Sequence, residues 1–142
     1  MAVKLSEAMR LGAMLSEQGY GMRAMTGEVR CALGAALNAV HDPVSKKWPS
    51  WMGSYQAVRE YWPWVYEYET ACPAADVCHW RPITPILVLR TITHLNDEHH
   101  WTREQIAAWV ATMEPVVEAE ASPVTRDTGD LAELAGIRRV EA

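Results

Sequence analysis

The sequence predicts a mainly α fold: a small helical domain with a C-terminal helical hairpin and an irregular, aromatic-rich middle. Three observations predict it. Apolar residues recur at helical spacing towards both ends, a reciprocal capping signal sits at Thr102 and Gln105, and most Trp and Tyr residues gather between Trp48 and Trp80. With 142 residues, 49% of them hydrophobic and 22% charged, the chain fits one domain that buries a core without staples. Residues 1–121 are expected to form that domain, and residues 122–142 a loosely ordered tail with at most a short docking helix.

The first helix is expected from Ser6, as N-cap, to Glu17, with Gly19 and Gly21 ending it. The second should run from Glu28 to His41. Val29, Leu33, Ala36, Leu37 and Val40 share one of its faces, and Asp42-Pro43 stops it. Its other side carries Cys31, Gly34, Ala35 and Asn38, small enough for another backbone to approach closely. Ser54 reads as the cap of a third helix that ends at Tyr61, before Pro63. Residues Trp64 to Thr70 fit a resumed helix, with a short alternating strand as the rival, and Cys72 to Pro85 read as loop. Thr84-Pro85 suits N-cap and N1 of a helix through Leu95, against a buried strand as the competing reading.

Asn96-Asp97 breaks that element, and the strongest local signal follows. Thr102 and Gln105 form a capping box, with Trp101 and Ile106 as a hydrophobic staple over it. The helix they start should reach Met113, where Pro115 ends it or begins a last turn. In the tail, Leu131, Leu134 and Ile137 suit a short amphipathic helix.

The formal charge of −5 and the dispersed basic residues argue against nucleic acid or an anionic membrane as the main partner. No apolar run of about 18 residues is present, and the first ten residues lack the apolar centre of a signal peptide. Three cysteines, an odd number, suit reduced thiols in a cytoplasm better than a disulfide framework.

Two segments carry a resemblance. Cys31-Ala-Leu-Gly-Ala-Ala36 and His94-Leu-Asn-Asp-Glu-His-His-Trp-Thr-Arg-Glu-Gln-Ile-Ala107 resemble short proteins of tailed phages and prophages. The resemblance spans residues 5–41 and 84–114. It implies an accessory or host-modifying protein in a bacterial host cytoplasm, and it brings no active site onto these positions.

Four chemistries compete for the polar residues. Cys72, Cys78 and His79, with His94, His99 and His100 downstream, are candidate zinc ligands in an irregular loop and the segment after it, and Cys72, Cys78 and His99 are the preferred set. Against them, five residues separate the cysteines where two to four are usual, His79 is badly placed to share an ion with Cys78, and a helix dipole alone accounts for His94. A thiol hydrolase would use Cys31 with His94 and Asn96 or Asp97. Cys31 is then expected past the first turn of its helix, where the dipole has faded. A helix-turn-helix over residues 85–113 would present Arg103, Glu104, Ala107, Ala108, Ala111, Thr112 and Glu114, one cation against two carboxylates. The favoured expectation is protein–protein binding without catalysis, to a host or viral protein or to a second copy. Trp48, Trp51, Trp62 and Trp64 are expected to include at least one exposed anchor.

Overall fold

A computed structural model describes residues 3–21, 25, 28–40, 51–74, 76–78, 85–121 and 136–140, with only the backbone of 51–53 and 121. The fold is mainly helical, with a small sheet. In chain order the elements are α1 (Leu5–Ala13), α2 (Ala32–Val40), α3 (Trp51–Tyr61), a 3₁₀ turn (Pro63–Tyr66), β1 (Tyr68–Thr70), β2 (Ile86–Leu87), α4 (Val88–Asp97), α5 (Arg103–Ala121) and β3 (Ile137–Arg139).

α1 and α2 pack so closely that glycine is required at their contact. A Cβ on Gly12 would lie 1.7 Å from the carbonyl oxygen of Ala35. Ala35 belongs to the small-residue side of α2, so the close approach expected there occurs. Leu5, Met9, Leu33, Ile92, Leu95, Ile106, Val110 and Met113 close the core between α1, α2, α4 and α5.

α5 holds both ends of α1. At the N-terminus the Glu114 carboxylate accepts from the backbone N–H of Ser6 (3.2 Å) and from the Ser6 hydroxyl. At the C-terminus the Arg103 guanidinium donates to the carbonyls of Ser16 (2.6 Å) and Ala13 (3.3 Å), and to the Ser16 hydroxyl (3.2 Å). Eleven residues of helix span about 16 Å, enough to bridge the nine residues of α1 at about 14 Å. The two helices therefore run antiparallel. A negative group meets the positive end of the dipole, and a positive group the negative end.

This arrangement corrects three expectations. Ser6 is not the N-cap of α1; that position is Lys4, and Ser6 is buried inside the first turn. The helix stops at Ala13, short of Glu17. Arg103, Glu114 and Ala107, assigned to the outer face of α5, are all buried. Arg103 also reaches the carbonyl of Arg30 at 3.4 Å, so the only cation of the supposed DNA-reading face points into the protein.

Helix α2 begins at Ala32, four residues later than Glu28. Residues 17–19 and 30 form a parallel backbone bridge, with Arg30 N–H donating to Glu17 (2.8 Å) and Gly19 N–H to Arg30 (2.9 Å). That pairing holds Arg30 extended and leaves Val29 exposed. Cys31 consequently takes the N-cap position, and its sulfur accepts from the N–H of Gly34 at 3.3 Å.

α3 starts at Trp51, so Ser54 lies within its first turn and does not cap it. Pro63 breaks the helix as expected, and the chain turns once through the 3₁₀ segment. The resumed helix does not form beyond it. Tyr68–Thr70 becomes β1, the central strand of an antiparallel sheet ordered β2-β1-β3. Tyr68 and Thr70 face the core, and Glu69 faces out to pair with Arg138 at 3.1 Å across the strands.

Residues Ile86–Leu87 are β2, so the expected helix start at Pro85 moves to Val88; Thr84 lies outside the described residues. Ile137 likewise belongs to β3 and is buried, where a helix was expected, while Leu131 and Leu134 lie outside the described residues. Both strands are too short to show a period, and only their partner β1 makes them strands.

The capping box is as read from the sequence. Gln105 N–H donates to the Thr102 hydroxyl (3.1 Å), and Thr102 N–H donates to the Gln105 side-chain carbonyl (2.9 Å). The helix it starts runs past Met113 to Ala121, with Pro115 inside it. Pro115 is exposed, so its ring meets solvent and only one helical hydrogen bond is lost. Replacing Thr102 by Ala is expected to lower stability by about 1 kcal/mol in urea unfolding, and an unchanged midpoint would show the box to be idle.

Candidate metal centre

Four metal-ligating side chains converge beside the sheet. Cys72 and Cys78 lie on the segment that leaves β1, His94 on the last turn of α4, and His99 just beyond that helix. One ligand atom from each lies within 4.8 Å of all the others. The Cys72 sulfur is 3.5 Å from His99 Nε2, and the Cys78 sulfur is 3.3 Å from His94 Nε2. Tetrahedral zinc, with Zn–S of about 2.3 Å and Zn–N of about 2.05 Å, sets sulfur and nitrogen roughly 3.5 Å apart. The donor set and its spacing fit that ion.

Local folding explains the convergence. Residues 94 and 99 would point about 140° apart on a regular helix. Here the chain widens as α4 ends: the carbonyl of His94 accepts from both Glu98 (2.8 Å) and His99 (3.3 Å). His100 follows at φ 53°, in the left-handed region, and turns the chain so that Trp101 N–H returns to the carbonyl of Leu95 at 3.0 Å. The two imidazoles end edge to face, 4.7 Å apart between ring centres. On the other side Thr70 anchors the start of the cysteine segment, its hydroxyl donating to the carbonyl of Gly136 at 3.0 Å.

Burial is the main influence on the acidity of Cys72 and His94. It pushes the Cys72 thiol up, opposed by the Ala74 N–H that points at the sulfur and reinforced by the neighbouring Cys78. Burial also pushes His94 down, helped by the His99 ring and opposed by Glu98. Neutral imidazole is the form that binds a metal, whereas the thiols must shed protons, so metal uptake would release protons.

The same turn organises the N-terminal half of the protein. The Asn96 side-chain carbonyl accepts from Gln18 (3.0 Å) and from Ala32 N–H at the start of α2 (3.2 Å), and its amide donates to Gly19 (2.9 Å). Asp97 accepts from Gly21 N–H at 2.9 Å, and His100 stacks on Tyr20 at 4.5 Å.

The chain matches no family model, no curated protein and no solved structure. Function must therefore be argued from these residues themselves.

Of the candidate ligands singled out in the sequence, Cys72, Cys78 and His99 do come together, and so does His94, which was outside the preferred set. A helix dipole alone also accounts for His94, and the signal that favours it as a ligand is the pair His94-x₄-His99, within the usual spacing for two zinc-binding histidines. His79 and Trp48 lie outside the described residues, as does the side chain of Trp51. Trp62 and Trp64 do not stand out as anchors, being 3% and 9% exposed. They belong to the shared core, and Trp62 donates its indole N–H to Val3 at 2.8 Å. Among the described residues the aromatic middle forms no cluster of its own.

Cys31 has other partners than the proposed hydrolase triad. Its thiol donates to the Met25 sulfur at 3.4 Å, while His94 is engaged with Cys78 and Asn96 with Ala32. Cys31 lies nearer the helix start than the sequence suggested, yet burial pushes its thiol up to about 11, with the Gly34 N–H pulling the other way. The unfolded thiol ionises nearer 9.0, so this contribution to stability is complete below that pH and is lost as pH rises towards about 11. Alkylation of Cys31 in the native protein at pH 8 is expected to be at least about tenfold slower than in the unfolded chain. Equal rates, read by mass spectrometry, would contradict this.

Proposed function

We propose that this protein is a zinc-stabilised helical module that acts by binding another protein and has no reaction centre of its own. The observation that carries the reading is the meeting of Cys72, Cys78, His94 and His99 within 4.8 Å. Four protein ligands close the tetrahedron, which suits a structural ion; a catalytic zinc keeps one position for water or substrate. Such an ion would tie the segment after β1 to the end of α4.

Binding is supported by the surface. Leu11, Met14 and Leu15, at i, i+3 and i+4, are all exposed, Met14 at 80%, and Tyr20 and Val29 are exposed as well. Apolar surface of this kind, with an exposed methionine in it, suits the core of a protein contact. The resemblance to phage and prophage proteins makes a host or viral protein in a bacterial cytoplasm the partner in this reading, and the reduced cysteines agree with that compartment. No helix among the described residues is long and apolar enough to cross a membrane.

The test has two arms. Protein purified without a histidine tag, its thiols reduced, should carry about one zinc per chain. A Met14→Asp, Leu15→Asp variant should keep that zinc and lose a partner that the unaltered chain captures from bacterial lysate. Zinc far below one per chain ends the structural-metal reading, and a partner retained by the double variant ends the surface assignment.

A further inference from the structure

The two sulfur ligands stand apart from the third cysteine in ways that bear on oxidation. Cys72 and Cys78 are half-buried, whereas Cys31 is buried. The sulfurs of Cys72 and Cys78 lie within 4.8 Å of each other, and Cys31 has Met25 as its sulfur neighbour. Both ligand thiols also sit on one short segment with a turn between them, Val77 N–H donating to the carbonyl of Ala74 at 3.1 Å. The sulfurs can therefore approach bonding distance, about 2 Å, by a local adjustment of that segment. Both histidines belong to a different part of the fold, on and just after α4.

We propose that Cys72 and Cys78 form an oxidation-sensitive pair, in which hydrogen peroxide converts the metal-binding dithiolate to a disulfide and expels the zinc. This rests on the zinc reading above. One thiolate attacks the peroxide oxygen, becoming a sulfenic acid as hydroxide leaves. The other thiolate then attacks that sulfur; the S–S bond forms, the S–O bond breaks, and a second hydroxide leaves. Two protons convert the hydroxides to water, so the two sulfurs together give up the two electrons that the peroxide gains. A disulfide sulfur is a poor ligand for zinc, and two imidazoles alone do not hold the ion. The segment is then hooked to itself and released from α4. A dithiol reductant reverses the exchange and restores the ligands.

The full chain, loaded with zinc and freed of excess, is treated with hydrogen peroxide in the presence of a chromogenic zinc chelator, and then mapped by non-reducing peptide mass spectrometry. The expected result is release of about one zinc per chain, in step with a Cys72–Cys78 crosslink about 2 Da lighter than the dithiol, while Cys31 stays reduced. Dithiothreitol followed by zinc should restore the starting state. Zinc retained through oxidation overturns the proposal, as does release accompanied by sulfinic acids or a Cys31 crosslink in place of the Cys72–Cys78 bond. A chain that takes up no zinc before peroxide is added overturns the parent reading with it, so loading is measured first and separates the two failures.

Discussion

Stripping zinc from the loaded protein is expected to lower its melting temperature by about 12 °C or more. A ligand at 1,000 times its dissociation constant stabilises the folded state by about 4 kcal/mol. For a domain of this size each kcal/mol moves the midpoint by about 3 °C. The effect should be large because the ligands come from separate elements: the segment after β1 supplies two sulfurs, and the end of α4 supplies two imidazoles. In the unfolded chain nothing holds them together, so binding free energy becomes folding free energy. Zinc should restore the midpoint, and magnesium should not, because it prefers oxygen ligands. His94→Ala is expected to reproduce the loss, whereas His100→Ala, which removes an exposed ring stacked on Tyr20, should keep the metal. A midpoint that chelation leaves unmoved in protein shown to contain zinc would remove the ion from the folding argument.

Gly12→Ala is expected to destabilise the fold by about 3 kcal/mol or more, at the upper end of what overpacking costs. The added methyl would be placed 1.7 Å from the Ala35 carbonyl oxygen and 2.3 Å from its carbon, both backbone atoms. No rotamer change relieves that clash, so α1 and α2 must separate. Separation would also pull α1 away from Glu114 and Arg103, which hold its two ends. Gly21→Ala is the comparison. It meets nothing within 4 Å but sits at φ +82°, so its cost is backbone strain alone, about 1 kcal/mol. Urea unfolding of the two variants distinguishes them, and equal costs would mean that the contact between α1 and α2 is not as tight as its geometry.

The difference between these positions shows what could be read in the chain. Gly34 and Ala35 on one side of α2 announced a close backbone approach, but nothing local named Gly12 as the residue that meets them. The capping box was fully legible because Thr102 and Gln105 satisfy each other within one turn. Ser6 and Ser54 were misread as caps for a related reason. Their residue type suits an N-cap, yet Ser6 is bonded to Glu114 of α5 and Ser54 falls inside a helix that begins at Trp51. All four clustered side chains are among the candidate ligands that residue type names, and three of them are in the preferred set. His94 is left out of that set because its place at a helix end already has a sufficient explanation, although its spacing to His99 fits a zinc pair.

Composition, apolar period and the Thr102 cap determined the mainly helical class and the start of α5, since each depends on residues within a turn or two of one another. Tertiary structure decided the rest. Residues 68–70, 86–87 and 137–139 become strands only by pairing with one another, and the Gln18–Arg30 bridge moves the start of α2. Arg103 and Glu114 turn inward because the dipole of α1 lies antiparallel beside them. The four metal-ligating side chains meet because the end of α4 widens next to the segment leaving β1. The physical reason is common to all of these. A backbone donor, a helix end or a ligand sphere is satisfied by whatever group arrives in space, and sequence distance does not reveal which group that will be.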